Sequence, residues 1–392
     1  MSSPIFTPEL PSDPVFPTTK FTPVSPGSRP GPLRPGPHPL EALGWTVGVI
    51  VVHVIAGLIT AIGIMIWIVA STGDAGLLRD QKQLQGLIEE QIAIVTSGEQ
   101  FLFVLVVLMA VGLRLSFPPG SAGQPALARL KNRLGSAGLG LRHLAVTVVM
   151  VLPVSLACGQ LYMVADKVWK AVLRVLPGLP DIDSIQTTDL LEKLATDLST
   201  PGLIFVLAVL PAVGEELVFR GVIGRGLVAR LGVVPGILIT SFLFAIVHVH
   251  PAHALAVFPL GIALHVLYLA TRSIWAPILL HFLNNAWAAV VTKYAEPMKL
   301  EQIRDDVLVP WPVLLTAVFC GICVVVYLWK SRIEYRLANG ESWRPLYRSV
   351  ESPAVTAIKE RCRPPLFLTL ALLVSVAGFY TAAALFAPDS VE

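Results

Sequence analysis

Residues 211–224 read PAVGEELVFRGVIG, and the two adjacent acids in this stretch decide how the whole chain is read. Glu215 and Glu216 follow a long run that is otherwise apolar. An ionisable side chain at the centre of a membrane helix costs at least about 2.5–3.5 kcal/mol on insertion scales, so such residues are rare and usually functional. On a helix, Glu216 and Arg220 are four apart and share a face, so the guanidinium can neutralise that carboxylate from within the same segment. Glu215 lies about 100° further round the helix and has no such partner nearby in sequence. The asymmetry predicts one structural acid and one working acid. The plain alternative is that both acids neutralise Arg220 and pin a bundle.

The composition supports a membrane setting. Of 392 residues, 54% are hydrophobic and 14% charged, with a mean hydropathy of +0.71. Globular domains carry about 25% charged residues. Apolar runs at roughly 44–70, 99–117, 143–165, 201–224, 234–249, 254–271, 274–292, 310–329 and 365–387 approach or reach membrane-spanning length, for which about 20 residues are needed. The expected fold is therefore all-α, a polytopic transmembrane helical bundle of about eight to nine spans. No self-similar period marks a repeat protein, and no nucleic-acid partner is expected. The first apolar run starts near Gly44 and is too long for the core of a secretory signal.

The organisation follows from these runs. Residues 1–43 form a Pro-rich arm with little to bury, expected to be disordered or polyproline-like. Residues 44–165 hold the N-terminal spans, 166–200 an amphipathic connector, 201–292 a four-helix core, and 293–392 the C-terminal spans. A short interfacial helix is expected within 71–98. Ser199 or Thr200 before Pro201 reads as the cap and first turn of the fourth span. Cys320 and Cys323 have the spacing of a redox pair, but their place in mid-span favours packing. Trp45, Trp275 and Tyr327 read as interfacial anchors or packing residues.

Orientation follows from charge. With the N-terminus and every second loop assigned to one side, that side holds 19 of the 29 lysines and arginines, the densest block being 330–364. By the positive-inside rule that side, and the N-terminus with it, is cytoplasmic, in a plasma or inner membrane. The basic loops then point to access for water from the same side.

The polar residues of spans four to seven form one set: Glu215, Glu216, Arg220, His248, His265, His281, Asn284 and Asn285. Phe244 and His248 are four apart on one helical face, as are His281 and Asn285. A carboxylate, two imidazoles and an amide converging in a bundle core can activate water, hold an oxyanion and protonate a leaving amine, which is what peptide hydrolysis requires.

In this order and on successive helices, Glu215-Glu216-x-x-x-Arg220, Phe244-x-x-x-His248 and His281-x-x-x-Asn285 resemble the three motifs of the CPBP intramembrane endopeptidases. That group contains the type II CAAX prenyl proteases and the bacterial abortive-infection-like proteins. The resemblance covers residues 200–292. It implies Glu215 as the general base, with His248 assisting it in activating the attacking water. It implies His281 and Asn285 on the oxyanion side, and Glu216 and Arg220 holding the helix. It implies a membrane-associated peptide or protein as substrate, such as a prenylated CAAX-type tail, with the lipid bilayer as surroundings.

No cofactor is expected. The alternative is a divalent metal such as zinc on Glu215, His248 and His281, a donor set that suits that ion, although no HExxH motif is present and Arg220 would bring a cation close. The cluster His248, His250 and His253 is a weaker metal candidate because Pro251 breaks helical ligand spacing. His265 reads as a satisfied core histidine or cavity lining, and Asn284 as a cross-helix hydrogen-bonding residue. His53 and His143 read as uninvolved. The depth of the HVHPAH turn is the geometric question, since His248 falls near the end of its span. Two other functions use the same residues. A non-catalytic binding or immunity protein would keep the set for structure, and a proton-coupled carrier would use it as a relay.

Overall fold

Helix after helix starts where the sequence supplies a cap or a proline and ends where it supplies a glycine or a polar turn. The computed structural model describes residues 36–116, 125–135, 138–176, 187–294, 309–343, 350 and 357–386. The Pro-rich arm lies outside the described residues as far as residue 35. So do parts of the loops expected at 118–142, 166–200 and 330–364, and the last residue of the ninth run.

The first helix, α1, spans Pro39–Thr72, five residues earlier than its apolar run begins. Its start is set by Pro at the first turn and by the His38 cap, and Glu41 in that turn pairs with Arg114 at 2.6 Å. A 3₁₀ turn (Ala75–Arg79) and the short α2 (Gln81–Glu90) follow, where a short helix is expected. Next come α3 (Ile92–Ser116), α4 (Ala126–Leu134) and α5 (Leu141–Val175). The connector contributes α6 (Thr187–Asp197). Residues 168–175, expected to lie apart as an amphipathic piece, instead continue α5.

The core consists of α7 (Thr200–Leu231), α8 (Val233–Ile246), α9 (Pro251–Thr271) and α10 (Trp275–Tyr294). Ser199 caps α7 by accepting from Gly202 N–H, as the sequence predicts. Two helices, α11 (Trp311–Lys330) and α12 (Leu366–Leu385), complete the bundle. The loop between them folds into an antiparallel hairpin of β1 (Ile333–Leu337) and β2 (Ala357–Arg361), with Tyr335 opposite Lys359. This hairpin is the one departure from an all-α chain among the described residues.

Among the described residues, seven helices are long and apolar enough to cross a membrane: α1, α3, α5, α7, α9, α11 and α12. The chain is an integral membrane protein. Helix α8 has 14 residues and at 1.5 Å per residue extends only about 21 Å, short of the ~30 Å hydrocarbon layer. Helix α10 is long enough but carries His281, Asn284, Asn285 and Lys293, and it packs against α5, α7 and α9. The outer helices expose large apolar side chains such as Ile59, Trp67, Leu113 and Val374, the pattern of a surface facing lipid.

The two ends of the bundle are distinct. At one end Arg230 donates to Pro37 O, Ile274 N–H to Gly135 O, and Arg272 to Ile333 O. At the other, Lys193 reaches Glu89 O, Thr200 meets Tyr294 at 2.7 Å, and Val309 N–H donates to Gln160. Successive long helices run between these ends in alternation. Tyr327, read as a possible anchor, is buried in the core, whereas Trp275 is exposed.

Candidate active site

Pro211 shapes the central helix before any site residue is reached. It has no N–H to give to the carbonyl of Leu207 four residues earlier, and α7 widens into a π turn over Phe205–Val209, where Leu210 N–H bonds Phe205 O. The freed Leu207 carbonyl accepts instead from Asn285 Nδ2 of α10, at 3.2 Å. A second π turn covers Leu217–Gly224. Such turns inside α-helices concentrate at functional sites, and here the two bracket the acids.

Glu216 and Arg220 are both completely buried, with Arg220 Nη1 donating to Glu216 Oε1 at 2.7 Å. Arg220 Nη2 donates to Gly261 O of α9 at 3.0 Å, and the guanidinium lies 4.5 Å over the Phe244 ring of α8. His281 Nδ1–H donates to the same Glu216 oxygen at 2.9 Å. The Glu216–Arg220 pair thus ties α7 to α8, α9 and α10. A buried charge this well partnered is costly to break, because removing one member leaves the other unpaired.

Phe244 sits between the motif residues. Its ring is edge-on to His248 at 5.2 Å and to His281 at 5.8 Å, with Phe219 at 5.4 Å on another side. It sets the spacing of the two imidazoles and carries no chemistry of its own.

Glu215 faces a different way. It lines a cavity of about 250 Å³ together with His248, His253, His281, Asn284 and Asn285, walled by apolar residues of α6, α7, α9 and α10. Its Oε2 is buried with no hydrogen-bond partner among the described residues. His248 donates Nδ1–H to Phe244 O at 3.0 Å, so in the neutral ring Nε2 is the free, basic nitrogen. The two acids differ in their partners: Glu216 Oε1 accepts from both Arg220 and His281, with Oε2 left buried and unpartnered among the described residues, whereas Glu215 lines the cavity.

The depth of His248 is explained by the short α8. The helix stops at Ile246 and the HVHPAH turn is recessed into the bundle, with His250 buried. Val249 adopts a left-handed φ of 62°, a conformation that costs a β-branched residue about 1–3 kcal/mol and clusters at functional sites. His250 and Pro251 then start α9. This sharp reversal brings His253 back to His248, ring centroids 4.7 Å apart.

His253 is therefore a cavity residue that sequence reasoning left in a turn. Asn284 donates to Asn285 Oδ1 and accepts from Ser155 Oγ of α5 at 2.7 Å, so it bonds across helices as expected but also lines the cavity. His53 of α1, read as uninvolved, pairs with Glu99 of α3 and stacks on Phe103 at 3.9 Å. Phe103 packs against the backbone of Gly214, where a Cβ would come within 2.6 Å of its ring. His143 bonds Ser331 O at 3.1 Å near the bundle end, away from the site. His265 is fully buried and absent from the cavity wall. Both its ring nitrogens lack a hydrogen-bond partner among the described residues, so it is not the satisfied core histidine expected.

The residues do not fit a closed metal centre as they stand. Among the described residues, no group of three or more His, Cys, Asp or Glu side chains is placed to hold an ion. His281 spends Nδ1 on Glu216, whose carboxylate also carries the Arg220 guanidinium.

Residues 197–287 match the family described as Type II CAAX prenyl endopeptidase Rce1-like, the resemblance carried by the three motifs. The chain is also 30% identical over 107 residues to the protein "Putative membrane peptidase YdiL" of Bacillus subtilis (strain 168). That match covers 27% of this chain and 41% of the relative. No solved structure matches.

Proposed function

We propose that the chain is an intramembrane endopeptidase in which Glu215 activates water for attack on a peptide bond. One observation carries this reading. Of two adjacent acids, one pairs through Oε1 with both Arg220 and His281 in the packed core, while the other lines a cavity together with His248. The family match over the same helices supports it, as does the likeness to a relative named as a peptidase.

The proposed reaction needs only groups on the cavity wall. Water is held between Glu215 and His248 Nε2. Glu215 takes its proton as the oxygen bonds to the carbonyl carbon, giving a tetrahedral oxyanion. The second N–H of Asn285 Nδ2, left over after its bond to Leu207 O, can donate to that oxyanion. His281, fixed through Nδ1–H on Glu216, lines the cavity on the same helix. Protonated Glu215 then passes its proton to the departing nitrogen as the C–N bond breaks, and the carboxylate is regenerated. No step passes through a metal.

The proposed substrate is a membrane-associated peptide, the class suggested by the apolar cavity walls and the family; a prenylated CAAX-type tail is one member of it. The test compares the terminal peptides of membranes holding the wild type with those holding Glu215→Gln at matched expression, with and without a chelator. Termini present only with the wild type support the peptidase. Their loss in chelator would move the activation of water to a metal. Identical termini in both membranes would leave a non-catalytic binding protein as the better reading.

A further inference from the structure

Among the described residues, the cavity extends from Glu215 towards one end of the bundle. On the side of Glu215 nearer the C-terminus of α7, each residue from Glu216 to Val228 is buried, and the Glu216–Arg220–His281 network lies across the floor. That plugged end is where Arg230, Arg272 and the hairpin cluster with the start of α1. On the opposite side the wall is built from Leu191 and Ala195 of α6, Leu203 near the start of α7, and Ala288 and Thr292 near the end of α10. Lys293 there donates to Ala195 O and Leu198 O, holding the end of α6 beside the opening. The short α8 and its recessed turn stop well before this end, which leaves the space unfilled. The lining thus lies towards the end opposite Arg230, Arg272 and the hairpin.

Charge fixes which face this is. Among the described residues, Arg129, Lys131, Arg133, Arg230, Arg272 and Arg332 belong to the segments at the plugged end, and loops rich in Lys and Arg stay on the cytoplasmic side of a membrane. We propose that the site is served from the extracytoplasmic face, so that its substrates are apolar peptide segments presented at the outer leaflet. The substrate half of this statement rests on the peptidase reading; the direction of opening does not.

The experiment separates the two. Ala288→Cys places a thiol on the exposed part of the cavity wall. Asn339→Cys places one on the exposed tip of the hairpin at the plugged end. Each full-length variant is treated with a membrane-impermeant maleimide, in intact cells and in inverted membrane vesicles. Mass spectrometry of the labelled peptide distinguishes the new thiol from Cys158, Cys320, Cys323 and Cys362. Ala288→Cys is expected to label in intact cells, and Asn339→Cys only in inverted vesicles, with at least a tenfold preference in each case. Labelling of both thiols from the same face would overturn the direction of opening, as would absence of label on Ala288→Cys from either face. Label on Asn339→Cys in intact cells would overturn the orientation. With both labelled as expected, new termini confined to cytoplasmic segments would overturn the substrate class and leave the peptidase reading standing. The absence of any wild-type-dependent termini would sink that reading and the substrate class with it, while the direction of opening would stand on the labelling.

Discussion

Glu216→Gln should destabilise the protein far more than Glu215→Gln, although the two acids are neighbours. Glu216 is completely buried and accepts from Arg220 at 2.7 Å and from His281 at 2.9 Å. Replacing it by an amide keeps the volume and removes the charge, so the fully buried guanidinium of Arg220 loses its counter-ion. Breaking a buried pair in this way costs about 3–5 kcal/mol, a large part of the roughly 5–15 kcal/mol that holds a typical protein folded. Glu215 has no such partner, and its change to Gln should cost no more than about 1 kcal/mol. Replacing the pair together, as Glu216→Gln with Arg220→Met, removes both charges and should recover part of the loss. The assay is thermal unfolding in detergent followed by a thiol-reactive fluorophore. Cys320 is fully buried and is released to the dye only as the bundle opens. Equal loss of stability in Glu215→Gln and Glu216→Gln, or a double variant worse than the sum of the singles, would refute the division of the two acids.

Phe244→Ala removes a buried ring that touches His248, His281 and Arg220; it should cost about 3–5 kcal/mol, with Phe244→Leu falling between it and the wild type in the same assay. Gly214→Ala forces a Cβ to within 2.6 Å of the Phe103 ring, an overpacking cost of about 1–3 kcal/mol that Phe103→Leu should relieve. Asn285→Ala should lower kcat about 10²–10³-fold through loss of one oxyanion donor, with KM nearly unchanged. Steady-state kinetics on a peptide identified from the new termini would check this, and an effect confined to KM would contradict the assignment.

The chain gives away its motif residues because their spacing is helical. Four-residue separations put Glu216 on Arg220 and Phe244 beside His248, and the structure keeps both. Ser199 and Pro201 marked the start of α7 for an equally local reason. What stayed hidden depends on contacts distant in sequence or on an unusual backbone. The His53–Glu99 pair joins residues 46 apart. The recessed turn relies on a left-handed Val249, whereas glycine or asparagine would have announced it. Without that turn His253 could not be placed in the cavity, nor could the direction of the opening be read. Two signals were present and readable. Pro211 must free the Leu207 carbonyl, which identifies a site for a donor such as Asn285. The alternation Ile333, Tyr335, Leu337 is that of a strand, and a strand forms there.

Hydrolysis in ¹⁸O-labelled water tests the central claim most directly. Purified wild type and Glu215→Gln, reconstituted in lipid, would act on a peptide spanning a mapped cleavage site, with the folded state of each checked by thiol-dye unfolding. The account predicts that the wild type releases a new carboxyl terminus carrying one heavy oxygen. It predicts that Glu215→Gln, equally stable, releases at least 10²-fold less, within the range for loss of a general base. Cleavage by Glu215→Gln at the wild-type rate would contradict it.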